Sequence, residues 1–255
     1  MLSLFRKKRK KLTTNHPAET TNNRSSTYIR YALGEIALVV IGILIALQIN
    51  NWNEERKHKT LLRTYILSIG EDIKADMEAL RGSMKVLNEQ VEAGKQIIPI
   101  MESEQKAIPD SLKFILAFNA FTGIATIPDR DTTWEFLNSS GLISDFPDTE
   151  LLKLLQSYYL SYTKITDNYK VSGIPVRLEL RQLKYELFTD IEHKKFFPTN
   201  APTIPGPIVY DAIFNDKRVL PLCRYIGSTA IYFENRFTAV YDKGDKVAAY
   251  IDTHF

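Results

Sequence analysis

The sequence predicts an all-α protein in which an N-terminal transmembrane helix continues into a long helix of an antiparallel helical bundle, with small helices at one end. Three observations lead to this prediction. An unbroken apolar run extends from Ile36 to Leu47, apolar residues repeat every seven positions from Ile66 onward, and no segment shows sustained alternation of apolar and polar residues. The first pattern is typical of a membrane span, the second of a bundle helix, and the third disfavours a β-sheet.

The apolar run lies within the segment Tyr31–Ile49, whose 19 residues would form a helix of roughly 28 Å, close to the ~30 Å hydrocarbon core of a bilayer. Tyr28 and Tyr31 mark its entry and Trp52 its exit, where aromatic rings favour the headgroup region. Two alternatives fit less well. A buried core helix would show a polar face, and a cleaved signal peptide would be followed by a small-residue cleavage site, which the residues after Leu47 do not provide.

Basic residues are unevenly distributed on the two sides of this segment. Eight precede it and four follow it within fifteen residues, so the positive-inside rule places the N-terminus in the cytoplasm and the C-terminal body outside. The eight are Arg6, Lys7, Lys8, Arg9, Lys10, Lys11, Arg24 and Arg30, and the four are Arg56, Lys57, Lys59 and Arg63.

The chain is therefore divided into three parts. Residues 1–27 are predicted to form a basic, largely disordered cytoplasmic tail, since Thr13–Thr27 is polar and has no apolar period. Residues 28–52 form the transmembrane helix, and residues 53–255 form an extracytoplasmic helical bundle.

Four residues of the span are candidates for interactions within the membrane. Glu35 lies about one turn inside the boundary, where a carboxylate is unfavourable unless it meets a partner or reaches back to the headgroups, and both alternatives stay open. Gly34, Gly42 and Ala46 share one helix face, and small residues allow another helix to approach closely. The expected partners are the lipid bilayer and either a second copy of the chain or another membrane protein.

The helix after the membrane carries two interleaved seven-residue repeats, broken only at Gly70 and Gly94. This spacing is typical of a coiled coil or of a bundle seam, and it predicts a long helix over residues 53–101. Pairing with another chain and packing within the same chain both fit the spacing, and the later helices favour the second. The repeats are Ile66, Ile73, Leu80, Leu87 and Met77, Met84, Val91, Ile98.

Shorter elements follow along the chain. We predict helices over 109–118 and 132–138, a helix capped by Asp145 that is interrupted near Gly173 and Pro175 and resumes over 178–191, and a last helix from about Asn215 to Asp252. Residues 197–207 hold four prolines and are predicted to form a loop, and 206–210 is the one candidate strand.

No residue pattern in the chain indicates catalysis. The net charge of +3 is too small to indicate nucleic-acid binding, and the lone Cys223 excludes a disulfide within the chain. No histidine has a metal-ligand neighbour, and phosphate loops and nucleophile motifs are absent from the sequence. We therefore expect no catalytic, metal or cofactor site. One cluster could either line a ligand pocket or pack the core, namely Asp131, Trp134, Tyr158, Tyr159 and Tyr162.

Two stretches resemble a family of uncharacterised single-pass membrane proteins from Bacteroidota-type bacteria. The first is GEIALVVIGILIALQINNWNEERK, residues 34–57, and the second is TTWEFLNSSGLISDFPDTELLKLLQSYY, residues 132–159. The resemblance implies an inner-membrane protein whose body lies in the periplasm. It implies no activity, because that family has none assigned.

These observations favour a non-enzymatic interaction or scaffold protein. The alternative is a periplasmic ligand-sensing or binding bundle that signals through a membrane partner, since the short cytoplasmic side holds no output domain.

Overall fold

The computed structural model describes residues 22–127, 132–196 and 207–255, and all regular elements in these ranges are helical. They divide into two compact units, residues 1–60 and residues 61–255, which we describe separately. The helices are α1 (Asn22–Glu102), α2 (Ser111–Ala120), α3 (Thr132–Ser139), α4 (Thr149–Asn168), α5 (Ile174–Leu187), α6 (Asp190–Phe196), α7 (Pro207–Asn215) and α8 (Val219–His254), with a 3₁₀ turn at Leu142–Asp145 and a π-helical turn at Tyr169–Gly173.

The described part of the first unit is the beginning of α1. An 18-residue window of this helix has a mean hydropathy of 2.4, and none of that window is buried. The helix starts at Asn22, before the predicted start at residue 28, because adding helical turns to an existing helix is easier than nucleating one. The rest of the predicted tail, residues 1–21, lies outside the described residues.

In the second unit, the part of α1 from residue 61 onward packs antiparallel to α8. The residues in contact have increasing numbers along α1 and decreasing numbers along α8. The contacts are Lys74 with Asp252 at 2.9 Å, Arg81 with the Tyr241 hydroxyl, and Glu102 with Arg224. The α4 helix also runs antiparallel to α8, since Tyr250 donates to Asp148 and Lys243 to Ser161. The predicted antiparallel bundle is confirmed.

One of the two predicted seven-residue repeats is fully buried within this bundle; in the other, Met77 is buried and Met84, Val91 and Ile98 are partly buried. The side chains of Ile66, Ile73, Leu80 and Leu87 are each 0 % exposed. At Gly94, where the seven-residue repeat is interrupted, an added Cβ would lie 3.7 Å from the Cα of Gly227 on α8, which is ordinary van der Waals contact. The two backbones therefore come close at this point, and the seam packs against the chain's own helices.

Two small helices pack at one end of the bundle. Phe114 and Phe118 of α2 and Ile213 of α7 join the hydrophobic cluster formed there by the last turns of α1 and α5 and the first turns of α8. The α3 helix lies farther along the side, where Phe136 contacts Tyr65 with ring centroids 5.2 Å apart.

One predicted cap is wrong. Asp148, not Asp145, caps α4, and its carboxylate accepts from the backbone N–H groups of Glu150 and Leu151. Asp145 belongs to the 3₁₀ turn. A residue that precedes proline disfavours helical backbone, and Phe146 before Pro147 is extended with ψ 124°, so α4 can start no earlier than the proline.

The candidate strand is also wrong, because residues from Pro207 onward form α7. Proline fits the first helical position, where its missing N–H has no partner to lose. The segment after α5 likewise differs from the prediction: α5 ends at Leu187, Phe188 is extended, and α6 follows. The last helix begins at Val219, a few residues after the predicted start. Residues 197–206 of the predicted loop lie outside the described residues.

Candidate functional site

The structure brings four of the five predicted cluster residues together between α1, α3 and α4. The Trp134 ring stacks on Tyr159 with centroids 4.9 Å apart and planes 5° from parallel. Tyr158 contacts both Tyr159 and Tyr162 through its ring. Asp131, the fifth member, lies outside the described residues.

A buried hydrogen bond anchors this aromatic cluster to α1. The Tyr158 hydroxyl donates to the Asp76 carboxylate at 3.2 Å, and both side chains are almost completely buried. Burial, together with the Asp76 charge, raises the pKa of Tyr158 far above its usual value. The hydroxyl therefore stays a proton donor, as the buried carboxylate requires.

The predicted membrane residues are in the other unit. The side chains of Glu35 and Ala46 are exposed, and a Cβ added at Gly34 or Gly42 would meet no atom within 4 Å. The small-residue face is therefore open along this part of α1.

A polar network around Arg177 was not anticipated from the sequence. Arg177 is 0 % exposed, and its Nε and Nη2 atoms donate to Oε1 of Gln90 at 2.9 and 2.6 Å. The Gln90 amide nitrogen in turn donates to the carbonyl oxygen of Gly123 at 2.7 Å. The network thus joins α5, α1 and the turn that follows α2.

The π-helical turn shapes this network. Gly173 offers its carbonyl oxygen to Nη1 of Arg177 at 2.8 Å, and the guanidinium carbon lies 5.3 Å from the centre of the Tyr169 ring. The Tyr169 hydroxyl accepts from the backbone N–H of Ala125 at 2.9 Å. A Cβ on residue 173 would lie 2.3 Å from Cδ2 of Tyr169, so the position must lack a side chain. Such π-helical turns occur frequently at functional sites.

Two more cations of α5 face a groove beside the network. Lys184 Nζ donates to Oδ1 of Asn119 at 2.8 Å, and Arg181 Nε donates to the carbonyl oxygen of Thr122 at 3.1 Å. The groove has a volume of about 480 Å³ and is lined by Val86, Glu89, Asn119, Ala120, Thr122, Gly123, Ile124, Arg181, Lys184 and Tyr185.

Burial weakens the charged state of the cations in this region. Desolvation and the charge of Arg181 lower the pKa of Lys184 to about 8, and desolvation also lowers the pKa of Arg177. Lys184 is only 6 % exposed and still carries its proton for most of the time at pH 7. A positively charged, partly desolvated groove attracts anions more strongly than a cation in bulk water does.

The sequence does contain a signal for this site. Arg177, Arg181 and Lys184 recur at spacings of four and three, which places them on one face of α5. Leu180 and Leu183 are buried on the adjoining face, so the three cations lie at the edge of the face that packs into the bundle.

Among known protein families, a family of unknown function (DUF6090) matches residues 35–126. The matched segment includes the apolar part of α1, the seam, α2 and the turn that reaches Gly123, and it ends before Arg177, Arg181 and Lys184. Searches of the curated proteins and of the solved structures gave no match. Over residues 35–126, the chain is thus similar to a family whose function is not known.

Proposed function

We propose that this protein is anchored in the inner membrane by a single span and acts through interactions with other chains, not as an enzyme. The observation that carries the proposal is the unburied apolar window in α1, with its mean hydropathy of 2.4. Leu38, Ile43 and Ile45 in this segment are each more than half exposed. An apolar surface of this extent is unstable in water, and lipid is the solvent that suits it.

The proposed orientation places the N-terminus in the cytoplasm and the body in the periplasm. It rests on the excess of basic residues before the span, eight against four.

Labelling with a membrane-impermeant maleimide tests the anchor and its direction. In a Cys223→Ala background, a cysteine at Ser3 and one at the exposed Lys153 are compared in intact cells and in detergent-permeabilised cells. We expect the Lys153→Cys variant to react once the outer membrane is permeable, and the Ser3→Cys variant only after the inner membrane is dissolved. The opposite pattern would contradict the orientation, and release of the chain by alkaline extraction would contradict the anchor.

The proposed interaction is self-association or binding of another membrane protein through the face with Gly34, Gly42 and Ala46. No atom of the chain lies within 4 Å of a Cβ added at Gly34 or Gly42, and small residues allow close helix contact in lipid. Glu35 would be stabilised in such an interface by a hydrogen-bonding partner.

Crosslinking in native membranes tests this interface. We expect Gly42→Leu to reduce the crosslinked species severalfold, and Val40→Leu, on the opposite face of the helix, to leave it unchanged. Glu35→Gln distinguishes the two alternatives for the carboxylate: a reduced yield supports a contact in the interface, and an unchanged yield supports a side chain that reaches the headgroups. A chain that remains monomeric under all conditions contradicts self-association. A chain that is monomeric and also co-purifies with no other membrane protein contradicts the proposal as a whole.

A second candidate function is ligand sensing, with a membrane partner carrying the signal. The groove beside Arg181 and Lys184 favours it, because about 480 Å³ lies in the range of small-molecule sites. Thermal-shift screening of the purified chain against metabolites tests it, and the absence of stabilisation across broad sets would contradict sensing.

A further inference from the structure

The groove between α1, the turn after α2 and α5 carries an excess of positive charge. Arg181 and Lys184 line it on one side, and the carboxylate that lines it is that of the exposed Glu89. Asn119 and Thr122 complete the polar lining with neutral groups. Arg177 lies behind the same wall, bound to Gln90 and Gly173. The electrostatic field in the groove is therefore positive, and it favours a negatively charged occupant.

The two cations are held in place before any ligand arrives. Lys184 is fixed by Asn119, and the Nε and Nη2 atoms of Arg181 both donate to the Thr122 carbonyl oxygen. This contact uses the Nε and Nη2 edge of the Arg181 guanidinium, and Nη1 takes no part in it. Fixed donors lose little conformational entropy when a ligand binds, and a guanidinium matches the geometry of carboxylate and phosphate oxygens.

The size and lining of the groove point to an organic molecule. A volume of about 480 Å³ exceeds what a single inorganic ion needs. Tyr185, Val86 and Ile124 add aromatic and aliphatic surface beside the charges, and the Tyr185 ring is kept in position by stacking on His193 with centroids 4.3 Å apart. The lining is thus mainly polar, with a smaller aromatic and aliphatic part, which suits an anionic group attached to a short carbon skeleton.

We propose that this groove binds a small organic anion through a carboxylate or phosphate group, with Arg181 and Lys184 as the charged contacts. This proposal names the ligand class for the second candidate function, ligand sensing. The biological role of the binding rests on that function. Binding itself is independent of membrane insertion, because the groove is formed entirely by residues of the second unit.

Calorimetric titration of the intact chain in a non-ionic detergent tests the proposal. The probes are succinate for carboxylates, glycerol 3-phosphate for phosphate esters, inorganic phosphate for the isolated ion, and glycerol as the neutral control. We expect at least one organic anion to bind, to bind at least about tenfold more tightly than glycerol, and to weaken as the salt concentration rises. The stronger of the succinate and glycerol 3-phosphate signals identifies the group that is recognised.

Three substitutions separate a binding role from a structural one. Lys184→Gln keeps a donor for Asn119 but removes the charge, and should weaken anion binding at least about tenfold. Glu89→Gln removes the carboxylate from the groove and should tighten binding severalfold, a gain that a misfolded protein could not produce. Lys164→Gln removes one positive charge from the exposed surface of α4 and should change nothing.

Two results would overturn the proposal. The first is that no organic anion binds more tightly than glycerol. The second is that Lys184→Gln weakens binding no more than Lys164→Gln does, which would indicate general ion effects. A neutral metabolite that binds the chain when no organic anion does would support ligand sensing and contradict this ligand class, so the two proposals fail separately.

Discussion

Arg177 donates two hydrogen bonds to a single oxygen of Gln90, at 2.9 and 2.6 Å, and both side chains are 0 % exposed. A guanidinium cannot lose its proton at physiological pH, so the bundle keeps a positive charge in its interior. It is stabilised by neutral oxygens and by the face of the Tyr169 ring. The Gln90 side chain therefore stabilises a buried charge in addition to filling space in the core.

Gln90→Leu should destabilise the protein by about 3 kcal/mol, because it leaves a buried charge without its main acceptor. The volume of the side chain changes little, so the loss arises mainly from the missing hydrogen bonds. Chemical denaturation of the detergent-solubilised chain, followed by circular dichroism, measures it.

The double variant Gln90→Leu with Arg177→Met is the control for this interpretation. Replacing both partners by apolar groups removes the unsatisfied charge, so the double variant should be more stable than Gln90→Leu alone. If the loss of stability in the double variant equals the sum of the losses in Gln90→Leu and Arg177→Met measured singly, the Arg177–Gln90 contact does not hold the network together.

Gly173→Ala should destabilise the protein by about 2 kcal/mol or more, since the new methyl group would overlap the ring of the buried Tyr169. The approach of 2.3 Å is too short for a small adjustment, and Tyr169 itself is 0 % exposed. Thermal unfolding of the variant measures the loss.

Gly82→Ala is the matched control for Gly173→Ala. Gly82 lies on the exposed face of α1, and a Cβ there meets nothing within 4 Å. Alanine in a helix interior is favoured over glycine, so this variant should gain up to about 1 kcal/mol. Equal effects of the two substitutions would show that helix propensity, and not the π-helical turn, decides the result.

The long helices could be predicted from the sequence because their apolar periods are local and regular. The seven-residue repeat that includes Ile66 and Leu87 determines which face of α1 is buried, and the apolar run before it predicts the exposed segment. The start of α4 was misplaced because two aspartates on either side of Pro147 both resemble a cap. The restriction that Pro147 places on the backbone of Phe146 favours Asp148 as the cap, because Phe146 is disfavoured in a helical conformation.

Of the candidate functional site, the aromatic cluster could be predicted from the sequence and the Arg177 network could not. The aromatic cluster could be found because its residues are large and close in the chain. The network of Arg177 joins residues far apart in sequence, Gln90, Gly123 and Gly173, and their contacts depend on how the helices pack. A charged residue is normally expected on the surface, so burial of Arg177 and Lys184 could not be inferred from residue type.

Trp134→Ala should destabilise the protein by about 2 kcal/mol, because it removes the stacking on Tyr159 and leaves a gap beside α3. In a Trp52→Phe background, Trp134 is the remaining tryptophan, so its fluorescence reports unfolding of this region in the parent protein, and circular dichroism reports it in the variant. Leu160→Ala, at a position that is 73 % exposed, is the control and should change stability by less than about 0.5 kcal/mol. Equal losses in the two variants would contradict a structural role for the stack.

The stability of the protein should rise between pH 7 and pH 9 because of Lys184. Its pKa is about 8 in the folded protein, against 10.5 for the unperturbed side chain. Between these values the unfolded chain holds a proton that the folded protein has lost, so raising the pH favours the folded state. Below pH 8 both states are protonated, and the full cost of burying the charge is present. The gain from pH 7 to pH 9 should be about 1 kcal/mol.

Cys223 contributes to the pH dependence of stability with the opposite sign, so its contribution must be separated from that of Lys184. Burial raises the pKa of Cys223 to about 12, so its thiol stays protonated in the folded state and stability falls as the unfolded thiol ionises. The difference in unfolding free energy between the parent protein and Lys184→Met cancels this contribution, since both proteins contain Cys223. We expect this difference to shift by about 1 kcal/mol in favour of the parent protein between pH 7 and pH 9. A difference that does not vary with pH would mean that Lys184 is solvated and that its charge is not held at the wall of the groove.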